Sequence, residues 1–204
     1  MHLRAVVYDA DRASSWETVL SDEERARRDR FGAASRQREF VSGRIAARHL
    51  LAEHLARDPH EVLLHVADDG AVDVPETPWH LSITHTGPSH APRAVAMCAL
   101  QPVGLDLEHI QPRSPQLRQF LFAPSDHAFP DTLPYDENSA LLLCWTLKEA
   151  VLKARRSGFR CSPKAIRLSV DVPATAAVAR VDETRWHLRY ARWKDTWCAA
   201  AWQA

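Results

Sequence analysis

Cysteine is scarce, with four residues in 204, and Cys98, Cys144, Cys161 and Cys198 form no C-x-x-C pair. Each sits in or beside an apolar run. They therefore read as reduced thiols packed as small hydrophobes, not as a disulfide frame or a zinc site. A glycine-rich P-loop or kinase-like loop is missing, which counts against the phosphotransferases built on those loops. An excess of either charge is missing too, since 26 basic residues balance 26 acidic ones. With no global positive field to hold nucleic acid or an anionic membrane, any basic site must be local. The longest apolar stretches, such as Ala140 to Trp145, fall far short of a membrane span, and the first residues, MHLRAVVYDADR, carry no secretory apolar region. These absences point to a cytoplasmic protein with neither nucleic acid nor membrane as partner. What is present is ordinary for a globular chain: 46% hydrophobic residues, 25% charged residues and a mean hydropathy of -0.33. The length suits one large domain or two small ones.

Ser21-Asp22-Glu23-Glu24 has the S-x-x-E form of a capping box and predicts a helix ending near Gly32, rich in Arg25, Arg27, Arg28 and Arg30. A second helix is expected from about Ser35 to Arg57, where Phe40, Ile45, Leu50, Leu51 and Leu55 recur near helical spacing while Arg36, Arg38, Arg44 and Arg48 take other faces. Asp58-Pro59-His60-Glu61 can cap a further short turn. Strands are predicted at Trp79–Thr84, Arg93–Leu100 and Val103–Glu108, the middle one almost wholly apolar and so buried on both faces of a central sheet. The proline-rich segment Pro112–Pro134, with a helix over Ser114–Phe122, reads as the hinge between halves. A long helix follows over Glu137–Arg156, closed by Gly158, and then strands at Ala165–Val170, Trp186–Ala191 and Trp197–Trp202. Each half reads helix first and strands afterwards. This gives an α+β fold of two similar lobes, 1–110 and 111–204.

Three segments carry residues suited to chemistry. In Val103-Gly104-Leu105-Asp106-Leu107-Glu108 two carboxylates at i and i+2 share one strand face; they repel unless a cation sits between them, and Mg²⁺ favours a few such oxygens completed by water and phosphate. The plain alternative is a solvated strand end. In Trp145-Thr146-Leu147-Lys148-Glu149-Ala150-Val151-Leu152-Lys153, Glu149 and Lys153 lie one helical turn apart. Alone they would be a surface pair worth a few tenths of a kcal/mol, but the apolar run Leu141–Leu147 points to a helix buried on most sides, where an unpaired charge is costly. Leu81-Ser82-Ile83-Thr84-His85-Thr86-Gly87 ends a strand with hydroxyl and imidazole groups that suit a phosphate. His80, His85 and His90 recur every five residues, matching neither a helix nor a strand face, so a three-histidine metal site is not expected. Arg36 and Arg44, two helical turns apart, can point the same way; the usual fate of such charges is a solvated face.

In order and wording these segments resemble the 4'-phosphopantetheinyl transferase superfamily, in its longer, two-lobed Sfp-type branch. The matching residues are Leu20-Ser21 through Phe31, Arg36-x-x-x-Phe40-x-x-Gly43-Arg44, Leu81-Ser82-x-Thr84-His85-Thr86, Val103-Gly104-x-Asp106-x-Glu108, and Trp145-Thr146-x-Lys148-Glu149-Ala150-x-x-Lys153-Ala154. The last two are specific as a pair. The resemblance implies a monomer with a pseudo-twofold α+β fold and a magnesium-dependent enzyme of the holo-[acyl-carrier-protein] synthase type. Its reaction would be transfer of the 4'-phosphopantetheine arm of coenzyme A to a serine of an apo acyl or peptidyl carrier protein, in secondary-metabolite or fatty-acid synthesis, releasing adenosine 3',5'-bisphosphate. By position, Asp106, Glu108 and Glu149 would hold Mg²⁺; Arg36, Arg44, Thr84 and His85 would contact the nucleotide phosphates of coenzyme A; Lys153 would meet the pyrophosphate; and Glu149 would take the serine proton. Two departures stand out. Asp68 to Pro75 lacks the lysine of the family's Gly-Lys-Pro-like stretch, and only Gly158 remains of two spaced glycines after Lys153. The competing expectation is a non-catalytic coenzyme A or carrier-protein binding module of the same fold, which would have no need of the acidic set.

Overall fold

The computed structural model describes residues 1–86 and 92–203; Gly87 and His90, singled out in the sequence, lie outside the described residues. The chain divides into two compact units, Met1–Leu100 and Gln101–Ala204. The first unit runs β1 (His2–Val7), α1 (Ala13–Glu17), α2 (Asp22–Asp29), α3 (Ala34–Leu55), the short hairpin β2 (His65–Val66) and β3 (Val72–Asp73), β4 (His80–Thr86) and β5 (Arg93–Ala99). Its main sheet is antiparallel in the order β1-β5-β4. The apolar β5 takes the middle, buried from Ala94 to Ala99. The 22-residue α3 covers one face of that sheet, packing Ala46, Ala47, Leu50 and Leu51 against Ala96, Cys98 and Val62.

The predicted capping box is present. Ser21 Oγ accepts from the Glu24 amide at 3.2 Å, and Glu24 Oε2 accepts from the Ser21 amide at 3.1 Å. Glu24 does a second job, because Arg48 Nε donates to its Oε2 at 2.8 Å. Nη1 of the same guanidinium donates to the carbonyls of Pro59, His60 and Val62 at 3.0, 3.0 and 2.8 Å. A buried charge of this kind is tolerable only because its donors are satisfied and its partner is close. It fastens the turn after α3 back onto α2.

The second unit runs β6 (Val103–His109), α4 (Gln116–Leu121), α5 (Glu137–Ala154), β7 (Arg167–Asp171), β8 (Ala176–Val181), β9 (Thr184–Trp193) and β10 (Thr196–Gln203). Its five strands form one antiparallel sheet in the order β6-β10-β9-β8-β7. Helix α5 opens on Asp136, whose side chain accepts from the Ser139 amide at 3.0 Å, and packs Leu142, Leu143, Leu147, Ala150 and Val151 against the sheet. Lys148, 2% exposed, is the largest fully buried side chain. Its Nζ donates to the carbonyls of Leu121 at 2.6 Å and Pro163 at 2.9 Å, and lies 4.2 Å from the centroid of the Phe122 ring. The long helix is thereby tied to α4 and to the turn before β7.

The structure departs from the sequence reading in five places. Strand β6, expected to share a sheet with β5 and to belong to a lobe ending at 110, pairs with β10, Asp106 opposite Ala199, so the chain breaks near 100. Pro112–Pro134 is consequently no hinge: Leu121, Phe122 and Leu133 belong to the second core. The N-terminal unit does not begin with helices, because β1 precedes them. Strand β8 was unforeseen, since alanine-rich Ala176–Val181 carries little strand propensity and is fixed by pairing on both sides. Helix α5 stops at Ala154, and Arg156 takes the left-handed turn at φ 53, two residues before Gly158.

The four cysteines are free thiols, Cys98 and Cys144 buried and Cys161 and Cys198 half-buried, as expected. No helix among the described residues is long and apolar enough to cross a membrane.

Gly104 decides how closely α5 lies on β6. A Cβ at this position would overlap the carbonyl oxygen of Ala150 and the amide nitrogen of Ala154, both backbone atoms that cannot swing aside. Gly104→Ala is expected to lower unfolding free energy by about 2 kcal/mol or more, measured by urea denaturation, because overpacking forces the helix off the strand. A second expectation concerns Lys148, whose burial pulls its pKa down to about 8. A lysine in the unfolded chain titrates near 10.4, so across the interval from about 8 to 10.4 the unfolded state binds more protons than the folded state. Stability relative to Lys148→Met should therefore rise with pH over that interval in parallel denaturation series. A difference that falls instead would show that the carbonyl contacts outweigh desolvation.

Candidate active site

Strand β6 and helix α5 together display the chemistry of the second unit. Residues 104, 106 and 108 alternate onto the strand face that meets α5. Asp106 is buried, 5% exposed, and its Oδ1 accepts from Lys153 Nζ at 2.6 Å. Glu108 is held at both oxygens: Oε1 accepts from the Trp145 indole at 2.6 Å, and Oε2 accepts from Arg113 Nη2 at 2.7 Å. Glu149 projects from the intervening turn of α5. Its Oε1 is buried and has no hydrogen-bond partner among the described residues. The lysine one turn from Glu149 is thus committed to the strand carboxylate Asp106, which the bland surface-pair expectation did not provide for.

These carboxyls perturb one another. Burial pushes Glu149 up to about 7, with Asp106 and Glu108 adding to the rise and Lys153 opposing it. Glu108 is raised in the same way, first by burial and then by Asp106, against the pull of Trp145 and Arg113. A carboxyl titrating near neutrality can accept a proton in one step and release it in the next. Among the described residues no three His, Cys, Asp or Glu side chains are gathered into a ready metal cage. The donor set nevertheless fits a hard divalent cation, because it is all oxygen, is mutually repelling, and includes a buried carboxylate oxygen with no hydrogen-bond partner among the described residues. Beside Glu108 opens a groove of about 460 Å³ lined by Arg113, Leu117, Phe120 and Trp145.

The first unit brings together some of its expected phosphate-binding residues. Glu39 Oε2 lies 3.4 Å from Arg36 Nη1 and 3.5 Å from His85 Nδ1, so one carboxylate oxygen faces both the guanidinium and the imidazole. Thr84 precedes His85 on β4 and is buried, 4% exposed. Arg44 does not join that group. It is buried with its Nε 3.2 Å from Glu24 Oε1 and its guanidinium over the Phe40 ring, and burial lowers its pKa to about 10. The stretch from Asp68 to Pro75, where a family lysine is missing, forms the β2–β3 turn around Gly70 at φ 82.

Sequence reasoning missed Glu39, Arg113 and Lys148. Glu39 had a legible signal, since it stands three residues after Arg36 on the same helix. Arg113 had none, because a flexible arginine in a proline-rich segment carries no periodicity. Trp145 and Lys148 stood inside a quoted motif but had no role until their partners, 37 and 27 residues away, were known.

Residues 102–202 match the model of the 4'-phosphopantetheinyl transferase superfamily, and residues 24–98 match the model of the 4'-phosphopantetheinyl transferase N-terminal domain. Among individual proteins, the chain is 28% identical over 150 residues to the 4'-phosphopantetheinyl transferase HetI of Nostoc sp., an alignment covering 69% of this chain and 61% of the relative. It is 26% identical over 160 residues to the 4'-phosphopantetheinyl transferase psf-1 of Bacillus pumilus, covering 76% and 67%. The chain thus spans about three fifths to two thirds of the length of these relatives. The first family model takes in β6, α5 and every carboxylate of the acidic site, and the second takes in Arg36, Glu39, Thr84 and His85. On these matches the chain belongs to the 4'-phosphopantetheinyl transferase superfamily, in its Sfp-type branch.

Proposed function

We propose that the protein transfers the 4'-phosphopantetheine arm of coenzyme A to a serine hydroxyl of an acyl or peptidyl carrier protein and releases adenosine 3',5'-bisphosphate. It would act as a cytoplasmic monomer whose two units are the family's pseudo-twofold lobes. The observation that carries the reading is Glu149: a half-buried carboxyl whose Oε1 is shut away from water, pushed up to about 7 by that burial and placed beside the Asp106–Lys153 pair. A non-catalytic module would have no use for so costly a cluster. Asp106, Glu108 and Glu149 are the side chains that would hold Mg²⁺, which when bound supplies charge neutralisation on the pyrophosphate.

The remaining work falls to the chain. Lys153 reaches Asp106 on a flexible stem, its side chain 32% exposed, so its ammonium can turn to an incoming pyrophosphate and offset the charge that builds on the leaving oxygen. Glu149 takes the serine proton as the serine oxygen bonds to phosphorus and the phosphorus–oxygen bond to adenosine 3',5'-bisphosphate breaks. Arg36, Thr84 and His85 would contact the nucleotide phosphates. Arg44, held inside by Glu24, supports the helix that presents Arg36.

The direct test is mass spectrometry of a panel of apo carrier proteins incubated with the protein, coenzyme A and Mg²⁺. A gain of one phosphopantetheine mass identifies reaction and partner together, and no gain on any carrier would refute the proposal. Lys153→Ala should lower kcat by about two orders of magnitude or more with a smaller change in coenzyme A affinity, because the ammonium acts mainly in the transition state. Glu149→Gln should fall as steeply, with a melting temperature near wild type, whereas Lys153→Ala, which leaves buried Asp106 without its ammonium, should also melt lower. In the first unit, Glu39→Gln should bind adenosine 3',5'-bisphosphate about 3- to 10-fold more tightly by calorimetry, since an internal anion no longer competes for Arg36 or repels the phosphate.

A further inference from the structure

The outer face of the second sheet carries charge that the proposed reaction does not use. Along β7, β8 and β9, Leu168, Val170, Ala177, Ala179, Trp186 and Leu188 belong to the core beneath α5. The residues between them therefore point away from the helix. On that outward face Arg167 lies directly opposite Arg180, and Arg180 directly opposite Arg185, so three arginines form one row across three strands. All three are exposed. Side chains directly opposite on neighbouring strands stand about 5 Å apart at Cβ, and like charges so placed destabilise a sheet. None of the three guanidiniums has an ion-pair or hydrogen-bond partner among the described residues. The nearby acids do not answer the charge. Asp182 Oδ2 accepts from Arg155 Nη2 at 2.8 Å, Asp171 lies opposite Ala176 at the far end of β7, and Glu183, in the β8–β9 turn, forms no ion pair among the described residues.

We propose that this row is a docking surface for an acidic helix of a protein partner, laid across the strands with its carboxylates on Arg167, Arg180 and Arg185. Neighbouring strands are about 4.8 Å apart, and one helical turn advances about 5.4 Å. Glutamates at i, i+4 and i+7 of such a helix meet the three guanidiniums in order, each as a charge-assisted pair. A polynucleotide is a poorer match, because 26 acidic residues balance 26 basic ones and the chain has no global positive field. A membrane surface would call for apolar side chains beside the arginines, but the large exposed ones, Leu3, Val7, Leu63, Leu100 and Phe120 among them, lie outside β7, β8 and β9. The row is on the side of the sheet away from α5, so the proposal does not depend on the transfer reaction.

Fluorescence anisotropy of the full chain with a labelled, alanine-based helical peptide bearing glutamates at i, i+4 and i+7 tests this in about 10 mM salt, where the screening length is about 30 Å. Arg180→Gln should weaken binding about three- to tenfold, and the combined Arg167→Gln, Arg180→Gln and Arg185→Gln variant by about thirtyfold or more. A peptide of the same composition with its glutamates moved to i, i+2 and i+5, which spreads them round the helix, should bind about tenfold more weakly to wild type. Because the arginines repel one another, the triple variant should melt about 1 to 3 °C above wild type in the same buffer, which also shows that it is folded. Equal binding of the two peptides would overturn the proposal, as would peptide binding that survives the triple substitution or no binding by wild type. Tighter binding of wild type to an oligothymidylate or to phosphatidylserine vesicles, lost in the triple variant, would overturn it in favour of a phosphate-bearing partner.

Discussion

Everything in the acidic site depends on the seat of one helix on one strand. Where α5 crosses β6 at Gly104, backbone meets backbone, with no room for a single carbon between Gly104 and the Ala150 carbonyl. The rest follows by register. The strand rises by roughly 6.6 Å for every two residues and the helix by about 5.4 Å per turn, so the two run nearly in step. Gly104 lies by Ala150 and Ala154, Asp106 reaches Lys153, and Glu108 reaches Trp145. A larger residue at 104 would not remove any of these side chains. It would hold them apart.

Both units place charge inside apolar surroundings, and each settles the cost differently. In the first, Glu24 is shared by Arg44 and Arg48, and Nη1 of Arg48 donates to backbone carbonyls, so two guanidiniums outnumber the one carboxylate and one of them is tied to the chain itself. In the second, three carboxylates outnumber Lys153 and Arg113, and Glu149 is pushed up to about 7, first by burial and then by Asp106 and Glu108. A cluster whose cation is tied to backbone acceptors rigidifies, whereas one with surplus carboxylate invites a cation or a proton.

How much of this could be read from the residues depends on the range of the interaction. Local chemistry was legible: the Ser21–Glu24 capping box, the apolar middle strand β5, and the turn-to-turn spacing of Glu149 and Lys153 all act within a few residues. Contacts that close over long stretches of chain were not. The Asp106–Lys153 pair spans 47 residues, and the pairing of β6 with β10 spans most of a unit, which is why the sheet and the unit boundary were misplaced. Arg44 shows a further limit. Its spacing from Arg36 allowed a common direction, but helix α3 turns that face inward, where Glu24 waits. Family resemblance supplied roles that spacing alone left open, and it could supply nothing for Glu39 or Arg113, where no motif position was quoted.

The Lys148 tether has an implication for how the surface around the site can change. Its acceptors are the carbonyls of Leu121 and Pro163, groups that every residue type possesses. The exposed side chains of α4 and of the turn before β7 can therefore change while the peptide path beneath them stays clamped to α5, as long as buried Leu121 and Pro163 keep their places. A face built this way combines a constant frame with a replaceable lining. Shape and charge can change there without disturbing the helix that carries Glu149.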